Sequence, residues 1–535
     1  MNPTPEEPPK NRRRWFLILT IVLAAIPSLY IRAQPELERN AKNWLATFIL
    51  LFIGLMGAIW FFFLGRFEGK LRLRVAGIGF LTILVATQVI RIKGTTDGSG
   101  LPRLVWRWAD DRLVRDFESI ASTAPSDAVE SIPNVPQFFG PHRDGLVSGA
   151  RIARYWGTNA VLLWRQKIGA GWSSFAVDDG RAYTQEQQGD DEQVTCYNIR
   201  NGHLLWAHTN HAHFSQWQGG DGPRSTPSVE QGLVYAIGAT GILDCLDASS
   251  GKRVWSRDVL TENQLPNLIW GISCSPLLVD DLVVVTGGLT NRATVLAYDR
   301  ATGEPKWQAG TDKASYASPV AATIAGQKVI LSVNAASLTI HDRQTGAVLL
   351  DYPWTNDHWP KAAQPVVLPG DRVFLSSGYA AGCVLLQLTL GNDGKFAKFE
   401  LWKNMSLKTQ FNSAVARDGF LYGLDDGLLA CVEVSTGLRR WKDGRYGAGQ
   451  ILLVDDFILV QSEPGPVYLV AADPNQFIEL NHLPALGSKT WNYPTLAGRY
   501  LLVRNDQAVS CYQLPVQNTL VPGGNRALRG EAGQP

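Results

Sequence analysis

The sequence predicts an all-β fold, an eight-bladed β-propeller, preceded by transmembrane helices. Three observations carry that prediction. A turn phrase recurs five times, as YNIRNGHLLW (Tyr197 to Trp206), LDASSGKRVW (Leu246 to Trp255), YDRATGEPKW (Tyr298 to Trp307), HDRQTGAVLL (His341 to Leu350) and VEVSTGLRRW (Val432 to Trp441). In each copy a Gly stands four residues before a Trp or its apolar substitute. A second marker, a short turn followed by an apolar strand, recurs eight times, and three apolar runs open the chain. Self-similarity at fixed offsets is the signature of a repeat architecture.

The apolar runs come first in the chain. Trp15 to Ile31, Trp44 to Leu64 and Val75 to Ile90 read as three transmembrane helices, over 15–31, 44–64 and 75–92. The second is long enough to span a bilayer unaided, and the others borrow flanking residues. No small-x-small cleavage site follows the first run and two more apolar runs do, which argues against a removed signal peptide. Lys10, Arg12, Arg13 and Arg14 precede the first span, and Arg66, Lys70, Arg72 and Arg74 separate the second from the third. Between the first and second, Arg32, Arg39 and Lys42 are mixed with Glu36 and Glu38. The denser positive clusters mark the cytoplasmic side of a bacterial inner membrane. The N-terminus is therefore expected in the cytoplasm and everything after the third span in the periplasm. Gln88 is the one notable polar side chain inside a span. Without acids, bases or His mid-membrane, residues 1–93 read as an anchor and not a transport path.

Residues 94–137 read as a linker: GTTDGSG (Gly94 to Gly100), an amphipathic piece LVWRWADDRLVRDF (Leu104 to Phe117), then STAPSDAVESIPNVP (Ser122 to Pro136). Residues 516–535 read as a flexible tail.

From 138 to 515 the helical period gives way to short apolar runs separated by turns, an all-β pattern. The turn-then-strand marker appears at Val177, Val229, Val279, Ile324, Leu368, Ala416, Val454 and Leu496. Counted between the first residues after each turn, the spacings are 52, 49, 45, 45, 48, 37 and 42. That is the size of a four-stranded blade. An inner strand opens at signals such as WSSFAV, RSTPSV, SCSPLL, YASPVA, AAQPVV and FNSAVA; the turn-marked strand is second, the third ends at the Gly turn, and the fourth carries the Trp. The repeat tryptophans are Trp164, Trp206, Trp255, Trp307, Trp402 and Trp441, expected to cover the joints between blades. The eighth unit supplies only three strands, Trp491 to Leu514, whereas NAVLLWRQKIG (Asn159 to Gly169) is a spare strand carrying Trp164. It is expected to complete the eighth blade, because closing the ring removes exposed edges.

Charge and cysteine content narrow the function classes. With 50 basic and 48 acidic residues interleaved, nothing suggests a phosphate-binding surface, and nucleic acid is not an expected partner. Cys196, Cys245, Cys274, Cys383, Cys431 and Cys511 stand alone, without metal-ligand spacing, and read as small buried strand residues.

Longer phrases extend the repeat: FFGPHRDGL (Phe138 to Leu146), GDGPRSTPSV (Gly220 to Val229), GISCSPLLVDDLVVVTGG (Gly271 to Gly288) and SSGYAAGC (Ser376 to Cys383). With the turn phrase, they resemble the membrane-anchored bacterial type of the PQQ-binding-like (pyrroloquinoline quinone repeat) β-propeller family, whose fold is that of quinoprotein dehydrogenases. The resemblance covers roughly residues 138–515. It implies one of two activities: a binding or scaffold module for other periplasmic or membrane proteins, or a PQQ-dependent dehydrogenase of alcohols or sugars, with quinone and Ca2+ in the central channel. The chain lacks the adjacent cysteine pair, the long roofing insertions and a placeable calcium constellation of the dehydrogenases, so no catalytic residue is carried over. The scaffold reading is favoured.

In a propeller the loops entering the inner strands line one mouth of the central channel. The candidate ligand- or cofactor-binding residues there are Arg224, Trp270, Tyr316, Lys361, Gln364 and Asn412, aromatics with cations and amides suited to a planar acid or a peptide. His211, His213, Trp217, Asp221, His358, Trp359, Gln410 and Tyr446 share those loops. His211 and His213 have no evident third ligand, so no metal is expected.

Overall fold

The computed structural model describes residues 39–95, 102–108, 117–118, 131–288, 291–355 and 360–517, with scattered positions between 20 and 30. The first expected span, 15–31, otherwise lies outside the described residues, as do 518–535. Among the described residues, two helices are long and apolar enough to cross a bilayer, Trp44–Leu64 and Gly69–Val89. The first continues α1 (Arg39–Ile59) through a π-helical turn, Trp60–Leu64. The second is α2 (Gly69–Val89). It starts six residues before the expected third span and stops short of its end, because Ile90 turns to φ −110°, ψ 138° and opens a strand. That strand, β1 (Ile90–Thr95), pairs antiparallel with β2 (Pro102–Trp106) inside the segment read as a linker.

Eight sheets follow in a ring. Blade 1 is built from Ala176–Asp178, Arg181–Gln188, Asp191–Asn198 and Leu204–Asn210. Blades 2 to 7 repeat this antiparallel order, with inner strands Ser228–Glu230, Leu277–Val279, Val320–Ile324, Val366–Leu368, Val415–Arg417 and Gln450–Val454. Blade 8 takes Thr495–Ala497, Tyr500–Arg504 and Ala508–Gln513 from the C-terminal end. Its fourth strand is Val161–Lys167, which pairs with Ala508–Gln513 and puts Trp164 opposite Cys511; Phe117–Glu118, from the segment read as a linker, adds a short strand outside it. The spare N-terminal strand thus closes the ring.

Each sequence marker has a physical reason. In the turn between first and second strands, two successive residues sit at positive φ: Asp179 and Gly180, Gln231 and Gly232, Ala325 and Gly326, Asp418 and Gly419. A two-residue hairpin whose twist matches the strands needs both, which is why Asp and Gly recur there. In the turn between third and fourth strands the Asp carboxylate caps the loop. The hydroxyls of Ser249 (2.6 Å) and Ser250 (2.7 Å), then the N–H groups of Ser250 (2.8 Å) and Ser249 (3.1 Å), donate to Asp247 Oδ1 and hold its pKa down at about 2.

The Gly of that turn is a seat for the previous blade's Trp. Trp164 donates its indole N–H to Ile199 O (2.8 Å) and lies over Gly202; Trp206 donates to Ala248 O (3.0 Å) and lies over Gly251. Trp255 donates to Arg300 O (3.0 Å) over Gly303, and Trp402 to Val434 O (2.8 Å) over Gly437. Trp307 lies over Gly346 in the same way, without an acceptor for its N–H. Trp441 donates to Asp473 O at 2.9 Å. The six tryptophans are therefore joints between neighbouring blades, as their position on the fourth strand predicts. The six cysteines are all free and buried, and burial pushes thiols such as Cys196 and Cys245 up to about 12.

Candidate functional site

The inner strands share one chemical step. Just before the inner strands of all blades but the seventh, and usually before a Pro, stands Ser174, Thr226, Ser275, Ser318, Gln364, Ser413 or Tyr493. These residues hand hydrogen bonds from blade to blade. Ser174 N donates to Thr226 Oγ1 (3.0 Å), Thr226 N to Ser275 Oγ (3.0 Å) and Ser275 N to Ser318 Oγ (2.9 Å). Gln364 N donates to Ser413 Oγ (3.0 Å), and Ser413 N to Tyr493 Oη (2.7 Å). Ser174 Oγ closes back on Tyr493 O at 2.5 Å. With Gln364 Nε2 donating to Ser318 O at 3.4 Å, the result is a buried belt around the axis that bypasses blade 7, where Tyr493 spans the gap. A residue before Pro is confined to extended backbone, so its N–H cannot bond within its own loop and needs such a partner.

Below the belt the axis is filled by the stretch 135–147, which contains FFGPHRDGL. Val135 bridges to Val177 of blade 1, and Val229 N of blade 2 donates to Pro136 O at 2.8 Å. Leu146 and Val147 pair parallel with Leu453 and Val454 of blade 7. Phe138 and Phe139 meet Tyr493 of blade 8 edge-on, with centroids 4.9 and 5.2 Å away. Arg143 reaches blade 3, donating to Ser275 O and Pro276 O, both at 2.8 Å. Burial pulls its pKa down to about 10. We call this stretch the plug.

The sequence-predicted residues divide into two groups. Arg224, Trp270 and Tyr316 come together: a Cβ on Gly219 would touch both Trp270 and Arg224, and the Trp270 and Tyr316 rings meet edge-on at 5.5 Å. Arg224, whose pKa burial lowers to about 10, donates to Gly220 O (2.8 Å) and Gly222 O and lies over Phe214. Lys361, Gln364 and Asn412 are buried in the wall instead. Lys361 Nζ donates to Ala335 O, and burial lowers its pKa to about 8. Gln364 belongs to the belt, and Asn412 Oδ1 accepts from Leu424 N at 3.1 Å. The expectation that all six face a ligand is not matched by these three, which act on backbone. Loop period says nothing about side-chain direction, so sequence could not separate them.

Of the remaining mouth residues, His211 pairs with Asp191 (2.9 Å) at the surface and Tyr446 is buried on Glu479 (2.8 Å). His358 and Trp359 lie outside the described residues. Sequence reasoning missed a cluster at the joint of blades 8 and 1. There Lys489 Nζ sits 3.3 Å from the centre of the Trp491 ring, Trp172 lies 5.2 Å from Trp491 at 44°, and Trp491 donates to Glu463 Oε1 at 3.0 Å. It also missed Arg504, buried at the same joint, which donates to Thr184 Oγ1 (2.7 Å), Gln185 O (2.8 Å) and Gly169 O (2.9 Å).

Beside Arg224, Glu192 is buried under the Gly238–Thr240 loop, where it accepts from Ala239 N at 3.1 Å. Desolvation outweighs that bond and the nearby Arg224 charge, and its pKa rises to about 7. Folded protein then holds a proton that unfolded chain releases between about pH 4.5 and 7, so stability falls as pH rises through that window. Glu192→Gln is expected to flatten the pH 5–7 slope of the urea midpoint; an unchanged slope would remove Glu192 from this role.

A family model described as outer membrane protein assembly factor BamB matches residues 148–267 and 190–443. Quinohemoprotein alcohol dehydrogenase ADH-IIG of Pseudomonas putida is 30% identical over 137 residues, 25% of this chain and 18% of its own. Outer membrane protein assembly factor BamB of Xanthomonas campestris is 33% identical over 103 residues, 19% of this chain and 25% of its own. The chain thus spans a quarter or less of these curated relatives. The crystal structure of BamB from Moraxella catarrhalis aligns with a TM-score of 0.50 and 16% identity, covering 67% of this chain and 99% of that one. The Pseudomonas putida ADHIIG structure aligns with a TM-score of 0.53 and 15% identity, covering 75% and 82%. At these identities the structures establish the propeller fold.

Pyrroloquinoline quinone is a flat tricarboxylate; holding it takes a slot between parallel faces, free cations and oxygen ligands for Ca2+. Among the described residues, those present do not fit it. Trp172 and Trp491 are far from parallel, and Lys489 already occupies the Trp491 face. Lys361, Arg224 and Arg504 all donate to protein carbonyls. Among the described residues no three His, Cys, Asp or Glu side chains gather as a metal site.

Proposed function

Because the chain belongs to the PQQ-like repeat family whose model is that of outer membrane protein assembly factor BamB, we propose that it is a membrane-anchored periplasmic propeller acting as a binding or scaffold module. The filled axis is the observation that carries this reading. Among the described residues the plug bonds to the inner strands of blades 3 and 7 and the belt crosses above it, which supports a role for the loops and outer strands as the working surface. The two apolar helices, Trp44–Leu64 and Gly69–Val89, support anchoring, and the positive clusters around Arg66 and Arg72 support a cytoplasmic N-terminus. Proteins of the cell envelope are the partners this reading implies, because one relative is an outer membrane protein assembly factor.

A quinoprotein oxidoreductase of alcohols or sugars is the second reading, favoured by the aligned stretch of the alcohol dehydrogenase. The test is a titration of pyrroloquinoline quinone with Ca2+ into the full chain in nanodiscs, followed by Trp fluorescence and by dye reduction. No saturable quenching up to high micromolar quinone is expected. Tight binding with turnover on an alcohol or sugar would replace the scaffold reading with the oxidoreductase one.

A further inference from the structure

The short hairpin after the second apolar helix carries an unusual surface. α2 has 21 residues, about 32 Å at 1.5 Å per residue, the thickness of a hydrocarbon core. The hairpin folds back on its end: Arg107 N donates to Val89 O (2.9 Å) and Arg107 Nε to Thr87 O (3.2 Å). At that level Ile92 is 70% exposed, Leu104 61%, Trp106 54% and Trp108 70%. The rings of Trp106 and Trp108 stack at 5.6 Å.

The propeller joins the same level. Trp44, where the first apolar helix begins, stacks on Trp217 at 4.3 Å and 7°. Trp217 stands on the mouth-side hairpin Ser215–Gln216/Gly220–Asp221, and β1 lies against that hairpin. The start of one apolar helix and the end of the next belong to the same side of a membrane when the two are consecutive. Trp at that depth, with apolar neighbours, matches the interfacial belt of membrane proteins.

We propose that β1, β2, Trp108 and the Trp217 loop form a collar seated in the headgroup layer of the bilayer, which holds the mouth side of the propeller toward the membrane. The proposal rests on the anchor reading. It commits the exposed apolar side chains to lipid, because they continue directly from a helix of membrane length. A partner for the Arg224–Trp270–Tyr316 group would then approach from the membrane plane.

The six native cysteines are buried, so a thiol spin label would report one introduced site at a time in the full chain. The probes are Ile83→Cys in mid-helix, Ile92→Cys and Leu104→Cys in the collar, and Tyr155→Cys on the opposite face, each in phosphatidylethanolamine–phosphatidylglycerol nanodiscs. Labels at 83, 92 and 104 are expected to meet oxygen freely and a water-soluble nickel chelate several-fold less than the label at 155. If 83 is shielded while 92 and 104 match 155, the collar is wrong and the anchor stands. If 83 itself meets the chelate, the anchor reading falls and the collar with it.

Discussion

Arg504→Met is expected to lower the unfolding free energy by about 3–5 kcal/mol, the usual cost of breaking a buried charged network from one side. Arg504 lies in the second strand of blade 8 and donates across the closing joint to Thr184, Gln185 and Gly169 around blade 1. The nearby Glu186 is fully buried, accepting from Gly169 N and Tyr197 Oη. Methionine fills most of the volume but leaves these carbonyls unpaired and Glu186 without its cationic neighbour. Arg154→Met, at an exposed position, should stay within about 0.5 kcal/mol. Urea denaturation of both variants measures the contrast, and a loss under 1 kcal/mol at Arg504 would mean that the joint does not depend on it.

The second large effect is Gly251→Ala. Gly251 has φ +70°, and a Cβ there would lie 2.4 Å from Trp206 Cε3. Gly149 has φ +76° and open space around it. Ala at Gly149 therefore bears only the left-handed backbone, about 1 kcal/mol, whereas Ala at Gly251 adds displacement of a packed indole, for roughly 2–4 kcal/mol in all. Thermal melts of the pair separate the two costs. Equal losses would show that the Trp is a loose cover and not a joint.

These two residues mark what could and could not be read from the sequence. Gly251 was legible, because its spacing from Trp255 repeats around the ring and the repeat exists to make like joints. The closing strand was legible for the same reason: Trp164 identified it as a fourth strand lacking its other three. Arg504 was not. It occupies an ordinary strand position, and its partners Thr184 and Gln185 are about 320 residues away. Arg143 was hidden likewise, in a loop without period whose acceptors are 132 and 133 residues on. At the mouth, the composition of the loops was readable but not which way their side chains turn. Arg224, Trp270 and Tyr316 gather as a group, while Lys361 turns into the wall to serve Ala335. The ends of α2 were blurred because Ile90 and Ile92 suit a strand as well as a span.

Closing the ring with an N-terminal strand also sets a timetable for synthesis. Arg165 leaves the ribosome 345 residues before Ser510, its partner on the adjacent strand of blade 8. At about 5–20 residues per second that is roughly 20–70 s. Through that interval the edge of Val161–Lys167 that Ala508–Gln513 will cover has no mate and is open to pairing with the wrong chain, while its other edge pairs with Phe117–Glu118. Its Arg165, Gln166 and Lys167 are the kind of side chains that keep a waiting edge soluble. Blades 1 to 7 can assemble in order as they emerge; the ring becomes a ring only with the final strand.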